Sequence, residues 1–311
     1  MAYKYNPLKE EISFILNAHI LNPIWRQRDK RRIVRGVYSW KKAESYLKRY
    51  HDFVERLEPE EIKEKDAREE GKIFSIWFQG EENAPRLVKV CFKRLREAYG
   101  ERYVVLDDKT LWDWIKLPEH IVEKWRKGII TNAHFSDICR VALLYTHGGM
   151  WFDATDFLTS KVPQWIEDAD LFIYLTGDKI TPGKLIQSCF MRARKGHPLL
   201  KMLLDFAEEY WKKEDKIIDY FLLHYMLRYL VENNKKAAEY FYKMPQIAQD
   251  PTHNIWYDFI NEPYSEELYK KATEKTFFQK TTFKWKEAEH PKPGTMADYV
   301  VNGRIKGVSP E

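Results

Sequence analysis

A chain of 311 residues, 44% hydrophobic and 15% aromatic, suits one large domain or two small ones and can bury a sizeable core. With 32% charged residues, a mean hydropathy of −0.60 and no run of about 18 uncharged apolar residues, it lacks a membrane-spanning helix. Acidic residues near the N-terminus stand where a secretory leader has its apolar core, so a cytoplasmic location is expected.

Residues 1–71 read as an N-terminal helical extension. Ile12, Ile15, Leu16 and Ile20 share one apolar face, and Tyr38, Trp40, Tyr46, Leu47 and Tyr50 another. Within it, "RQRDKRRIVR" (26–35) concentrates the positive charge of a chain whose net charge is only +5. That run is either a solvated helix face or a patch that adheres to anionic lipid head groups. No motif or glycine–aromatic pattern supports a nucleic-acid partner. The charged segment 58–71 ends in glycine and marks the expected boundary to the next domain.

From residue 72 the pattern becomes α/β. "KIFSIWFQG" (72–80) is a short apolar run expected as a buried first strand. Residues 84–100, with Pro85 at the start and Gly100 at the end, predict an amphipathic helix. "RYVVLDD" (102–108) reads as a second strand closed by Asp107 and Asp108. Helix is expected over 111–130, broken at Pro118. Residues 132–149 read as a helix stopped by two glycines, "MWFDATDF" (150–157) as a third strand, and "LFIYLTGD" (171–178) as a fourth. Alternation of strand and helix predicts an α/β sheet. From about 196 the chain reads as mainly helical, up to a short extended piece near "QKTTFKWK" (279–286). Residues 291–311, rich in proline and glycine, read as a tail or lid. The three cysteines, Cys91, Cys139 and Cys189, are widely spaced and unpaired in pattern, which argues for buried free thiols.

In open α/β sheets, ligands bind beyond the carboxyl ends of the strands. Asp107, Asp108, Asp153 and Asp156 stand at such ends, where they either serve a site or cap the next turn. Asp137 and Arg140, three apart, share one face of a helix that is apolar nearly all round and therefore buried. They form either a structural ion pair or a carboxylate and guanidinium fork able to hold the hydroxyls of a sugar. His134 and His224, on apolar helices, read as core histidines.

The block "AHFSDICRVALLYTHGGMWFDATDFLT" resembles the core of the capsular polysaccharide synthesis protein family. So, in order, do "IWFQGEENAPRLVKVC", "LDD", "IDYFLLHY" and "FFQKTTFKWK". That family belongs with glycosyltransferases in which an Asp-x-Asp sugar-binding motif follows an S-D-x-x-R helix and a Gly-Gly turn. The sugar-transferring domains of large clostridial toxins are more distant members of the pattern. The resemblance implies a GT-A-like, Rossmann-type nucleotide-sugar-binding domain over 72–290. It implies a retaining transfer from a nucleotide sugar, and the expected reaction moves a hexose from a UDP-sugar to a surface or capsular polysaccharide. The expected acceptor is a glycan or a lipid-linked glycan, and the basic run at 26–35 would keep the protein near the inner face of the membrane. Carried over by position, Trp77 stacks on the base beside Phe78 and Gln79. Ser136, Asp137 and Arg140 contact the donor. Asp153 holds the ribose or sugar and, with Thr155 and Asp156, is the implied ligand set for Mn²⁺ or Mg²⁺.

Thr155 stands where the full motif has its second carboxylate. Threonine is a poor ligand for these hard cations. Asp156 can substitute only if the chain turns, because along a strand 155 and 156 point to opposite faces. Lys280 and Lys284, with Trp285 nearby, are candidates to neutralise the leaving diphosphate. Asp219 and Gln187 are candidates for acid, base or acceptor contacts. Two alternatives stay open: a sugar-phosphate transferase using the same pocket, and a non-catalytic nucleotide-sugar-binding subunit.

Overall fold

The computed structural model describes residues 38–60, 71–176, 185–285 and 289–308. The basic run at 26–35, the apolar face at 12–20 and most of the charged segment before residue 71 lie outside the described residues.

Among the described residues, seven short strands carry the architecture: β1 Ile73–Ile76, β2 Tyr103–Leu106, β3 Gly149–Phe152, β4 Asp156–Leu158, β5 Leu171–Leu175, β6 Ile186–Ala193 and β7 Phe278–Lys280. Five form one sheet in the order β2-β1-β3-β6-β5, while β4 and β7 form a two-stranded sheet of their own. β1 runs parallel to β2 and β3, whereas β6 is antiparallel to both β3 and β5. The expected α/β class is therefore what the sheet displays, with a mixed rather than an all-parallel strand set. β6 was not foreseen. Its sequence "IQSCFMRA" mixes Gln187, Ser188 and Arg192 into an otherwise buried strand, which hides the alternation.

The sheet lies between two helical layers, and residue parity decides which side each side chain meets. Phe74, Ile76, Trp151 and Ile173 join the core beneath the helices Asn132–His147, Pro198–Lys213 and Leu222–Asn233. Ile73, Met150, Phe152 and Phe172 face the helix Arg86–Tyr99 on the other side. The Asn132–His147 helix starts where Thr131 accepts a hydrogen bond from His134 N and ends at Gly148. Gly149 then enters β3 with φ +96, and a Cβ there would stand 2.0 Å from Lys72 O. Only glycine fits that approach.

Two sequence expectations change. Residues 111–130 hold a short 3₁₀ turn and the helix Glu119–Arg126, begun by Pro118, rather than one broken helix. Residues 150–157 form two strands with a turn between them, not one. The described residues of the segments expected as an extension and a tail pack against residues of the expected central domain. Trp40, Leu47, Tyr50 and Val54 are buried in the same core as Tyr225 and Phe206. The helix Met296–Val301 buries Met296, Val300 and Val301 against Leu87 and Cys91. All three cysteines are buried and unpaired. Among the described residues, no helix is long and apolar enough to cross a membrane.

Candidate functional site

Asp153 follows the last residue of β3, and the strand's alternation carries it to the side of the Asn132–His147 helix. There Trp151, two residues back, donates its indole N–H to Asp153 Oδ1 at 2.8 Å. Arg140 comes down from the helix to the same oxygen, Nη2 to Oδ1 at 3.3 Å, and bonds Asp137 Oδ1 at 2.8 Å with the same nitrogen. Its Nη1 donates to Ser188 O and Ser188 Oγ, both at 2.7 Å, and its guanidinium lies 4.9 Å above the Trp151 ring. The i,i+3 pair of Asp137 and Arg140 is thus one half of a larger cluster that also spans β3 and β6.

The chain then turns. Asp156 N donates to Asp153 O at 2.9 Å, and Asp153 N donates back to Asp156 Oδ2 at 3.1 Å. This closed loop brings the Asp156 carboxyl round to the side of Asp153. Opposite it, β7 places Lys280 in register with Asp156. Lys280 Nζ donates to Asp153 Oδ2 at 2.7 Å and to Thr155 Oγ1 at 2.9 Å, and it stands 3.3 Å from Asp156 Oδ1. β7 is itself pinned: Gln279 Nε2 donates to Pro251 O and Ala272 O, Gln279 Oε1 accepts from Ile255 N, and Thr281 bonds Thr155 O through both N and Oγ1.

Burial and charge set the protonation states. Burial pushes the Asp153 carboxyl up, but Arg140 and Lys280 outweigh it and hold the group below the ordinary carboxylate range. Asp137 behaves alike, burial being overcome by Arg140 and His134. Asp156 goes the other way: complete burial, reinforced by the charge of Asp153, raises its carboxyl to about 8 against the pull of Lys280. Lys280 stays charged, because Asp153 and Asp156 outweigh its desolvation.

A cavity of about 590 Å³ opens over this cluster at the carboxyl ends of β1 and β3. Trp77, Phe78, Gln79, Ser136, Asp137, Arg140, Asp153, Thr155, Gln187, Lys280 and Lys284 all line it. Of the residues named from sequence, Asp156 lies beneath the cavity at 0% exposure. Asp219 does not line it; its carboxylate accepts from Phe221 N at 2.9 Å and so shapes the turn that brings Tyr220 and Phe221 to the rim. Sequence reasoning missed Ser188, Tyr220 and Phe221. Ser188 had no local signal, since its part depends on β6 lying next to β3. Against Trp77, Phe283 packs edge-on with ring centres 5.4 Å apart. A second cavity of about 850 Å³ lies between residues 159–166, 247–251 and the helix Glu266–Thr273. Its charged lining residues are the exposed Glu266, Lys270, Glu274 and Lys275, so it is larger but holds no buried charge cluster.

The implied divalent cation does not fit these side chains. A hard cation needs several oxygens facing one vacant point. Here both oxygens of Asp153, the Thr155 hydroxyl and Asp156 Oδ1 are directed at Lys280, Arg140 or Trp151. Among the described residues, no group of three or more His, Cys, Asp or Glu side chains could hold a metal ion.

Comparison with known proteins bears on the whole chain and on parts of it. Residues 26–300 match the family described as "Capsular polysaccharide synthesis protein". Over 120 residues the chain is 30% identical to the O-glycosyltransferase braB of Annulohypoxylon truncatum, covering 36% of this chain and 28% of that protein. This chain therefore spans well under half the length of that relative. A solved structure, the PaToxG glycosyltransferase, aligns with 68% of this chain and 84% of its own at 12% identity, with a TM-score of 0.36. The family match runs across both helical layers and every strand of the site, and the chain belongs to the capsular polysaccharide synthesis protein family.

Proposed function

We propose that this protein is a glycosyltransferase. It moves a hexose from a nucleotide sugar, a UDP-sugar by preference, to a surface or capsular glycan acceptor. The observation that carries the reading is the cavity beyond β1 and β3, with Trp77 along one wall and the linked charges of Asp137, Arg140, Asp153 and Lys280 along its floor. An aromatic face suits a nucleobase. Carboxylates fixed by a guanidinium suit sugar hydroxyls, and an ammonium suits phosphate. The family match and the partial similarity to an O-glycosyltransferase support the same class of reaction. The basic run at 26–35 supports a lipid-linked acceptor on the cytoplasmic face of a membrane.

Retention of configuration fits the electrostatics. Inverting transfer needs a carboxylate ready to take the acceptor's proton. Asp137 and Asp153, the carboxylates that line the cavity, are both ion-paired and held below the ordinary range. His224, the lining histidine, turns Nε2 to Ser188 Oγ at 3.1 Å. The acceptor hydroxyl then attacks from the face that the diphosphate leaves.

Thermal shift with UDP-, GDP-, CMP- and dTDP-sugars tests the donor site. One nucleotide class should raise the melting temperature of the wild type and not of Asp153→Ala. Stabilisation that survives in Asp153→Ala, or none by any donor, would remove the assignment. Release of UDP rather than UMP on turnover separates sugar transfer from sugar-phosphate transfer.

A further inference from the structure

We propose that the Lys280 ammonium is this enzyme's resident counter-cation for the donor diphosphate, in place of a divalent metal. The proposal rests on the nucleotide-sugar reading of the cavity.

The cluster shows how the substitution works. Lys280 Nζ sits where the Asp153–Asp156 turn converges, bonded to Asp153 Oδ2 and Thr155 Oγ1 and 3.3 Å from Asp156 Oδ1. Two carboxylates around a divalent ion would be the metal arrangement. Here a threonine stands between the two aspartates and an ammonium stands at their centre. The exchange is self-consistent, because an ammonium needs acceptors rather than a full shell of charged oxygens. The lysine is also fixed as a metal would be. Its neighbours Gln279 and Thr281 are both bonded on either side, and its own side chain is only 18% exposed while lining the cavity.

Arg140 cannot take this role. Its Nη1 is bonded to Ser188 and its Nη2 to Asp137 and Asp153, while Nε faces Ser136 O. Lys280 has one neutral partner that also lines the cavity, the Thr155 hydroxyl. A diphosphate oxygen displaces that hydroxyl and takes over its hydrogen bond as a charge-assisted one. During transfer the bond from the sugar's anomeric carbon to the diphosphate oxygen breaks, and its electron pair leaves with the diphosphate. The acceptor oxygen bonds to that carbon, and the acceptor's proton passes to the departing oxygen. Lys280 keeps its protons throughout and donates hydrogen bonds to the charge that develops.

Titration calorimetry on the full chain tests this with UDP, GDP, CDP and dTDP and the matching monophosphates. Each is measured after treatment with EDTA and again with added Mn²⁺ or Mg²⁺. The expected result is one diphosphate whose affinity agrees within about twofold with and without metal. Lys280→Met should weaken that diphosphate about 10- to 100-fold and leave the monophosphate nearly unchanged, a split that a general loss of structure would not produce. Thr155→Val leaves Lys280 in place and should bind the diphosphate at least as tightly as wild type. Diphosphate binding by wild type only when metal is present would overturn the proposal, and so would weakened binding by Thr155→Val. If no nucleotide binds with or without metal, the nucleotide-sugar reading falls and takes this inference with it. Binding that depends on metal sinks the inference alone.

Discussion

Asp156 is held as an acid by its surroundings, and this has a signed consequence. Its carboxyl is raised from 3.8 to about 8, with burial the leading cause. The folded state therefore holds that proton more tightly than the unfolded chain. The resulting stabilisation is complete below the unfolded value and is lost as pH rises through the folded one. Urea midpoints should fall between about pH 5 and about pH 9 by more in wild type than in Asp156→Asn, which has no proton to lose. Equal slopes would contradict the raised value. Arg140 poses the opposite problem. It is a buried cation shared by Asp137, Asp153 and Ser188. Arg140→Ala leaves two buried carboxylates without it and should cost about 3–5 kcal/mol by denaturant unfolding. Arg140→Lys keeps the charge but loses the fork that reaches both strands, so it should fall between the two.

The elements differ in how plainly the sequence announced them. The Asn132–His147 helix was legible because its apolar residues surround a single i,i+3 charge pair and two glycines end it. Gly149→Ala should be among the most damaging single-methyl changes in the chain. The added Cβ would meet backbone at Lys72 O, which cannot rotate away; a melting point close to wild type would contradict this. The strand-end position of Asp153 was legible from the run before it. The turn at 153–156 was not, although aspartate and threonine are turn formers, because the apolar residues on either side made the segment look continuous. β6 was hidden by its polar residues, and with it Ser188. The pairing of β4 with β7 left no local trace, since Asp156 and Lys280 meet only through folding of the intervening chain. The sequence could therefore offer Lys280 as a candidate cation for an expected diphosphate, but not as the partner of the residues expected to hold a metal.

The described parts of the expected extension and tail pack against the residues of the expected central domain. Trp40 is 2% exposed and lies 4.0 Å beneath the Arg228 guanidinium, with Tyr225 at 5.8 Å. Asn234 bonds back to the carbonyls of Val54 and Leu57. Trp40→Ala should cost about 3–5 kcal/mol, and a chain begun after residue 56 should unfold at lower urea than wild type. A shortened chain as stable as the full one would show that residues 38–55 are dispensable.

The two-stranded sheet of β4 and β7 has a further meaning in time. During synthesis the parallel strands, the Asn132–His147 helix and Asp153 leave the ribosome well before Lys280 does. Until residues 278–281 emerge, Asp153 has Arg140 but lacks its second counter-charge, and the side of the pocket floor made by Lys280, Thr155 and Asp156 stays incomplete. A nascent chain halted before residue 278 should compact and yet bind the nucleoside diphosphate no more tightly than Lys280→Met does. Release of the segment that holds Lys280 should supply the missing charge, and nucleoside diphosphate binding with it.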